Sequence, residues 1–108
     1  MKLWLDDQID DPNTPMRHPP AGWFGVKTPK QAIKLLKAGG VSEIELDHDL
    51  GNNVLGDGAT VLKYIQKRVV WDKSFIPPKM FVHSANPGEA DMMRKMIKSI
   101  ERIIAERC

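Results

Sequence analysis

Three short stretches hold the side chains that could do chemistry: Asp6 and Asp7 in LWLDD, Asp47, His48 and Asp49 in IELDHDLGNN, and His83, Ser84 and Asn86 in MFVHSANP. Each group follows directly on an apolar run. Carboxylates crowded into one pocket repel, and they need a counter-charge, a proton or a metal ion beside them. A hard divalent cation such as Mg²⁺ takes oxygen from one or two carboxylates, water and phosphate, so Asp6, Asp7 and Asp47 are candidate ligands. An imidazole from His48 or His83 would move the preference toward Mn²⁺, Fe²⁺ or Zn²⁺. Both histidines are also candidate acids and bases, since imidazole titrates near neutral pH. The plainer reading of each is a hydrogen-bonded core or loop residue. Ser84 and Asn86 are helix-entry residues first, but a helix entry also suits a phosphate, and Asp49 is a candidate substrate contact beside them.

These groups can act together only if the fold brings them to one place. Lys2 to Asp6 is too short and apolar for a helix and reads as a buried strand. From Gln8 to Gly22 the chain carries Pro12, Pro15, Pro19 and Pro20 among aspartates, which excludes a regular helix and predicts a long loop. Loops of this length are often functional, and this one is a candidate lid; the alternative is that Trp23 and the diproline only pin it to the core. WFGVKT reads as a second strand. TPKQAIKLLKAGG has the signals of a helix, with Thr28 as N-cap, Pro29 at N1, Gln31 completing a capping box and Gly39 as the stop.

EIEL leads into Asp47 as a third strand, whose Glu43 and Glu45 face must be wet or paired. Asp57 can cap a second helix with the stripe Val61, Leu62, Ile65 and Val69. KMFVH is a fourth strand. Asn86, Pro87 and Glu89 open a last helix whose inner side is expected to hold Met92, Met93, Met96, Ile97, Ile100, Ile103 and Ile104. Arg94, Lys95, Lys98 and Arg102 form its solvated face, and His18 in the long loop is expected to be solvated too.

Strands alternating with helices predict an α/β domain with a parallel sheet, joined by right-handed crossovers. We expect four strands in the order 2-1-3-4, in a two-layer or three-layer sandwich without a fifth strand. In such sheets ligands bind outside the carboxyl ends of the strands, where all three acidic or histidine-bearing stretches would converge. Gly51, Gly56 and Gly58 do not match a nucleotide-binding loop and read as turn glycines.

At 108 residues the sequence is expected to form one domain, residues 1–108. Sixteen Lys and Arg against fourteen Asp and Glu leave a net charge of +2, so affinity for nucleic acid must come from local clusters. The one cysteine, Cys108, excludes an intrachain disulfide and a cysteine-based metal knuckle. Early carboxylates rule out an apolar signal-peptide core and no run reaches membrane-spanning length, so the expectation is a cytoplasmic protein away from membranes.

Paired acids after the first strand, an Asp after the third, and a hydroxyl residue followed by Ala after the fourth resemble the receiver domain of bacterial response regulators. That resemblance implies Mg²⁺ on Asp6 and Asp7, phosphate acceptance by Asp47 and a switch hydroxyl at Ser84. The chain departs from it: no fifth strand with a phosphate-binding lysine follows, and the proline-rich loop replaces the first helix. LWLDD, GW, LDHDLG, PP and VHSANP together resemble, more closely and over nearly the whole chain, the receiver-like family that processes cyclic phosphates.

This second resemblance implies metal-assisted handling of a cyclic phosphate on a nucleotide or RNA end, in RNA-repair and phage-related settings. The leading expectation is therefore a phosphoesterase using Mg²⁺ or Mn²⁺, with Asp6, Asp7 and Asp47 on the metal. His48 and His83 trade protons, and Ser84, Asn86 and Asp49 orient the substrate. The alternatives are a phosphoacceptor module acting through Asp47 and a non-catalytic nucleotide-binding or protein-binding module. Without helices on one sheet face, Trp4 and Phe81 would be exposed unless the long loop or last helix covers them, and a homodimer through that face is expected.

Overall fold

The computed structural model describes residues 1–47, 58–83 and 87–107. Four strands, β1 Lys2–Leu5, β2 Trp23–Val26, β3 Glu43–Asp47 and β4 Lys79–His83, form one sheet in the order β2-β1-β3-β4. Every pairing is parallel. The helices are α1 Pro29–Ala38, α2 Gly58–Trp71 and α3 Pro87–Ala105. This is the α/β architecture and strand order that the alternation of elements implied.

Side-chain alternation along the strands sorts the two faces. Leu3, Leu5, Ile44 and Leu46 are fully buried in one cluster with Leu36 of α1, Val61, Leu62, Ile65 and Val69 of α2, and Met93, Ile97 and Ile100 of α3. All three helices therefore pack on the same face of the sheet. The α1 capping box forms as expected: Gln31 N–H donates to Thr28 Oγ1 at 3.2 Å and Thr28 N–H to Gln31 Oε1 at 3.3 Å. Gly39 ends the helix at φ +87°, in the left-handed region where glycine has no Cβ to clash. At the other end of the core, Arg107 donates to the carbonyls of Val69, Asp72 and Phe75 at 2.6, 2.9 and 2.6 Å, which satisfies carbonyls at and just beyond the end of α2.

One member of the expected α3 stripe is misplaced. Met92 is 47 % exposed, whereas Met93, Ile97 and Ile100 are buried and Met96, Ile103 and Ile104 pack against them. At 3.6 residues per turn Met92 lies about 100° around the helix from the middle of that stripe. The basic residues Arg94, Lys95, Lys98 and Arg102 are exposed, as expected. The caps expected of Asp57 and Asn86 lie outside the described residues.

The opposite face carries Lys2, Trp4, Glu43, Glu45, Lys79 and Phe81. Glu43 pairs with Lys2 at 3.4 Å and Glu45 with His83 at 3.3 Å, so the acidic face of β3 is paired. The loop over 8–22, with a short 3-10 turn at Pro15–Arg17, lies across the β1 and β2 half of this face. A Cβ on Gly25 would sit 2.9 Å from Ile9 Cδ1 and 3.1 Å from Pro19 Cγ, so the loop rests directly on the bare backbone of β2. Trp4 is half-buried beneath it, edge-on to Trp23 with centroids 5.9 Å apart, and its indole N–H donates to the Arg17 carbonyl at 3.0 Å. Trp4 is therefore not exposed, and Phe81, at 43 %, is what remains of the apolar patch expected from the missing helices. His18 is likewise not fully solvated: its Nε2–H donates to the Asp11 carbonyl at 2.6 Å inside the loop.

Among the described residues, no helix is long and apolar enough to cross a membrane.

Candidate functional site

Parallel pairing brings the carboxyl ends of β1, β3 and β4 to one rim. Asp6 follows β1, and its N–H still donates to the Val26 carbonyl at 3.0 Å, so the main chain fixes where its side chain starts. Asp47 ends β3 in direct register with His83, which ends β4. Asp6 is completely buried and Asp47 is 2 % exposed, an arrangement that demands compensation for each charge.

The compensation comes from His83 and from a residue that sequence reasoning passed over. Arg17 reaches in from the long loop and lays its guanidinium across the acids: Nε donates to Asp6 Oδ2 at 2.9 Å, and Nη2 lies 2.8 Å from Asp6 Oδ1 and 3.3 Å from Asp7 Oδ1. The same Nη2 donates to Asp47 Oδ2. His83 Nε2–H donates to Asp6 Oδ2 at 3.1 Å, and its Nδ1–H points to Glu45 Oε1 at 3.3 Å. The imidazole also stacks on Trp4, with ring centroids 4.6 Å apart and planes inclined by 19°. The backbone N–H of Gln8 completes the shell of Asp6 at 2.9 Å.

The protonation states follow from these contacts. Burial works against charge on Asp6, but the hydrogen bonds from His83, Arg17 and Gln8 outweigh it and hold the carboxyl below its usual range. Burial also opposes the charge on Arg17, and Asp6 and Asp47 overcome it, raising its pKa further. For His83 the same contest ends at about 9: burial lowers the value, while bonds to Asp6 and Glu45 and the nearby Asp47 charge raise it. At neutral pH the rim thus holds a cationic imidazole and a guanidinium among carboxylates.

The acids were expected to need a counter-charge, a proton or a metal ion beside them, and Arg17 supplies a counter-charge. The signal was present, since Arg17 is the only Lys or Arg between Lys2 and Lys27. The like charges at Asp6, Asp7 and Asp47 already called for a cation, but its position depends on a loop whose path no local rule predicts. Gly58, read as a turn glycine, is instead the first residue of α2 at a close approach to the site. A Cβ there would fall 2.7 Å from the Asp47 carbonyl oxygen and 2.8 Å from Met93 Cε. Met93 can move, but the β3 backbone cannot do so freely. Gly58→Ala is expected to lower stability by about 1–3 kcal/mol, as overpacking does, measured as a fall in the urea midpoint at unchanged slope.

Of the other expected site residues, Asp7 is half-buried beside the cluster and bound to Arg17. His48, Asp49, Ser84 and Asn86 lie outside the described residues, as do Gly51 and Gly56.

Residues 1–99 match the family model of the cyclic-phosphate processing receiver domain. The chain belongs to this family. No curated protein and no solved structure matches it. For this receiver domain the family implies a divalent cation, and the donor set fits one. An oxygen from each of Asp6 and Asp47 and a ring nitrogen of His83 all lie within 4.8 Å of one another. Two buried carboxylates suit Mg²⁺ or Mn²⁺ through their oxygens, and His83 would add a nitrogen donor only on giving up a proton, which its bonds to Asp6 and Glu45 oppose.

Proposed function

We propose that this receiver domain is a divalent-metal-assisted phosphoesterase that opens a cyclic phosphate on a nucleotide or RNA end. The reading rests on the convergence of a buried carboxylate pair, a cationic imidazole and a guanidinium fork at one rim. A cyclic phosphodiester is an anion whose charge must be matched as its P–O bond breaks, and positioned cations supply that match. Arg17 presents planar, paired donors that fit phosphoryl oxygens. His83 is protonated at neutral pH, the state required of an acid that gives its proton to the departing sugar oxygen. His48 would be the base that takes a proton from water, with Ser84, Asn86 and Asp49 orienting the substrate. Asp6 and Asp47, with Asp7 beside them, would hold the cation, which when bound polarises phosphoryl oxygen and lowers the pKa of water.

The test is turnover of 2′,3′-cyclic nucleotides, cyclic RNA ends and cyclic dinucleotides with Mg²⁺, Mn²⁺ and Zn²⁺. His83→Gln is expected to cut kcat by about 10²-fold with the circular dichroism spectrum unchanged. Unchanged turnover would remove His83 as the acid, and no turnover of any substrate in any of the three metals would remove the enzyme reading, leaving a binding module.

One observation also favours a phosphoacceptor module. Receivers hold phosphate with a lysine on a fifth strand, and here the Arg17 guanidinium reaches Asp47 Oδ2 and could meet a phosphoryl group there. Incubation with a small phosphodonor and Mg²⁺ followed by intact mass separates the readings. A stable phosphoryl adduct that Asp47→Asn abolishes supports the acceptor role, and an unmodified mass beside cyclic-phosphate turnover supports the esterase.

A further inference from the structure

We infer that Arg17 and a divalent cation are alternative partners of the Asp6 and Asp47 carboxylates, so that cation binding is coupled to the position of the loop over 8–22. The inference rests on the metal-assisted reading above and adds the group with which the cation must compete. An ionised carboxylate offers about four acceptor positions. On Asp6 four donor contacts fill them: Gln8 N–H at 2.9 Å and Arg17 Nη2 at 2.8 Å on Oδ1, and Arg17 Nε at 2.9 Å and His83 Nε2 at 3.1 Å on Oδ2. A cation that takes an oxygen of Asp6 therefore displaces one of these donors.

The donors are not equally movable. Gln8 N–H belongs to the main chain two residues on from Asp6, and the His83 ring is held by its stack on Trp4 and its bond to Glu45. Arg17 supplies two of the four contacts and also bonds Asp47 Oδ2, the second carboxylate the cation needs. Its positive charge repels an incoming cation at a few ångströms in a buried setting, where screening is weak. The guanidinium is thus both the steric and the electrostatic competitor.

Displacement has an optical reporter. The carbonyl of Arg17 accepts the Trp4 indole N–H at 3.0 Å, and Trp4 stacks on His83, so movement of Arg17 changes the surroundings of that indole.

Calorimetric titration of Mg²⁺ and of Mn²⁺ into the full chain, its Arg17→Gln variant and its Arg17→Lys variant tests the competition. Arg17→Gln is expected to bind both cations at least about tenfold more tightly, and Arg17→Lys, which keeps the charge but loses the fork, to fall between. In a Trp71→Phe background, Mg²⁺ should change the emission of Trp4 and Trp23 with the midpoint found by calorimetry.

Cation binding by the unaltered chain with equal or weaker binding by Arg17→Gln would overturn this inference alone. No binding of either cation by any of the three proteins would overturn it together with the metal-assisted reading. Should Arg17→Gln not fold, the Trp71→Phe protein decides: emission unchanged through calorimetric saturation with Mg²⁺ overturns the coupling.

Discussion

Asp6→Ala is expected to lower the stability of the receiver domain by about 3–5 kcal/mol, the usual range for removing one partner of a buried ion pair. Asp6 is fully buried, and its oxygens take donors from Gln8, Arg17 and His83. Alanine leaves the Gln8 N–H and several guanidinium and imidazole protons without their acceptor at a position that is fully buried. Asp7, Asp47 and Glu45 still face the two cations, which keeps the loss within that range. For a domain of ordinary stability, about 5–15 kcal/mol in total, this is a large share. Urea unfolding followed by circular dichroism measures it. A loss under about 1 kcal/mol would mean that water replaces Asp6 at little cost and that the cluster is not dry. Asp10, whose carboxylate meets Lys27 at 2.6 Å on the exposed side of the loop, is the control; Asp10→Ala should leave the midpoint where it was.

Stability is expected to fall as pH rises from about 6.5 to about 9, by on the order of 3 kcal/mol, through His83. In the fold its pKa is raised from 6.5 to about 9, so the folded chain holds a proton that the unfolded chain releases in this interval. The sign follows: a raised value contributes fully below 6.5, and the contribution is lost as pH climbs through the folded value. The magnitude is that interval at about 1.4 kcal/mol per pH unit. On the acid side the sign reverses, because the pKa of Asp6 is lowered from 3.8; its contribution is present above that value and is lost as pH falls through the lower folded one. The two together place the most stable range between about pH 4 and about pH 6.5. Urea midpoints at about pH 6 and about pH 9.5, for the chain and for His83→Gln, measure it. A decline of equal size in both proteins would show that groups other than His83 carry it.

Both effects come from residues at strand ends, and much of that arrangement was legible. The box from Thr28 to Gln31 is local, made by backbone and side chains within one turn, so its residue types suffice to predict it. The stripe of Val61, Leu62, Ile65 and Val69 follows from helical period and one buried face. Acid and histidine at the ends of three strands, joined by helical crossovers, must meet at one edge once the strands are parallel, and Asp6, Asp47 and His83 do. Met92 shows where the pattern blurs, since an apolar residue at the border of a stripe can face either way.

What composition, period and spacing determined by themselves is the α/β order, the helix starts and the gathering of the acids, because each depends on neighbours in the chain or on the handedness of one connection. Only the tertiary structure decided how the acids are neutralised. Arg17 reaches them because Ile9 and Pro19 seat the loop on the bare backbone of Gly25 and Trp4 holds the Arg17 carbonyl, and Gly58 is glycine because Asp47 passes beneath it. Those are contacts between segments distant in sequence, set by shape and by the need to balance buried charge, and no periodicity within either segment encodes them.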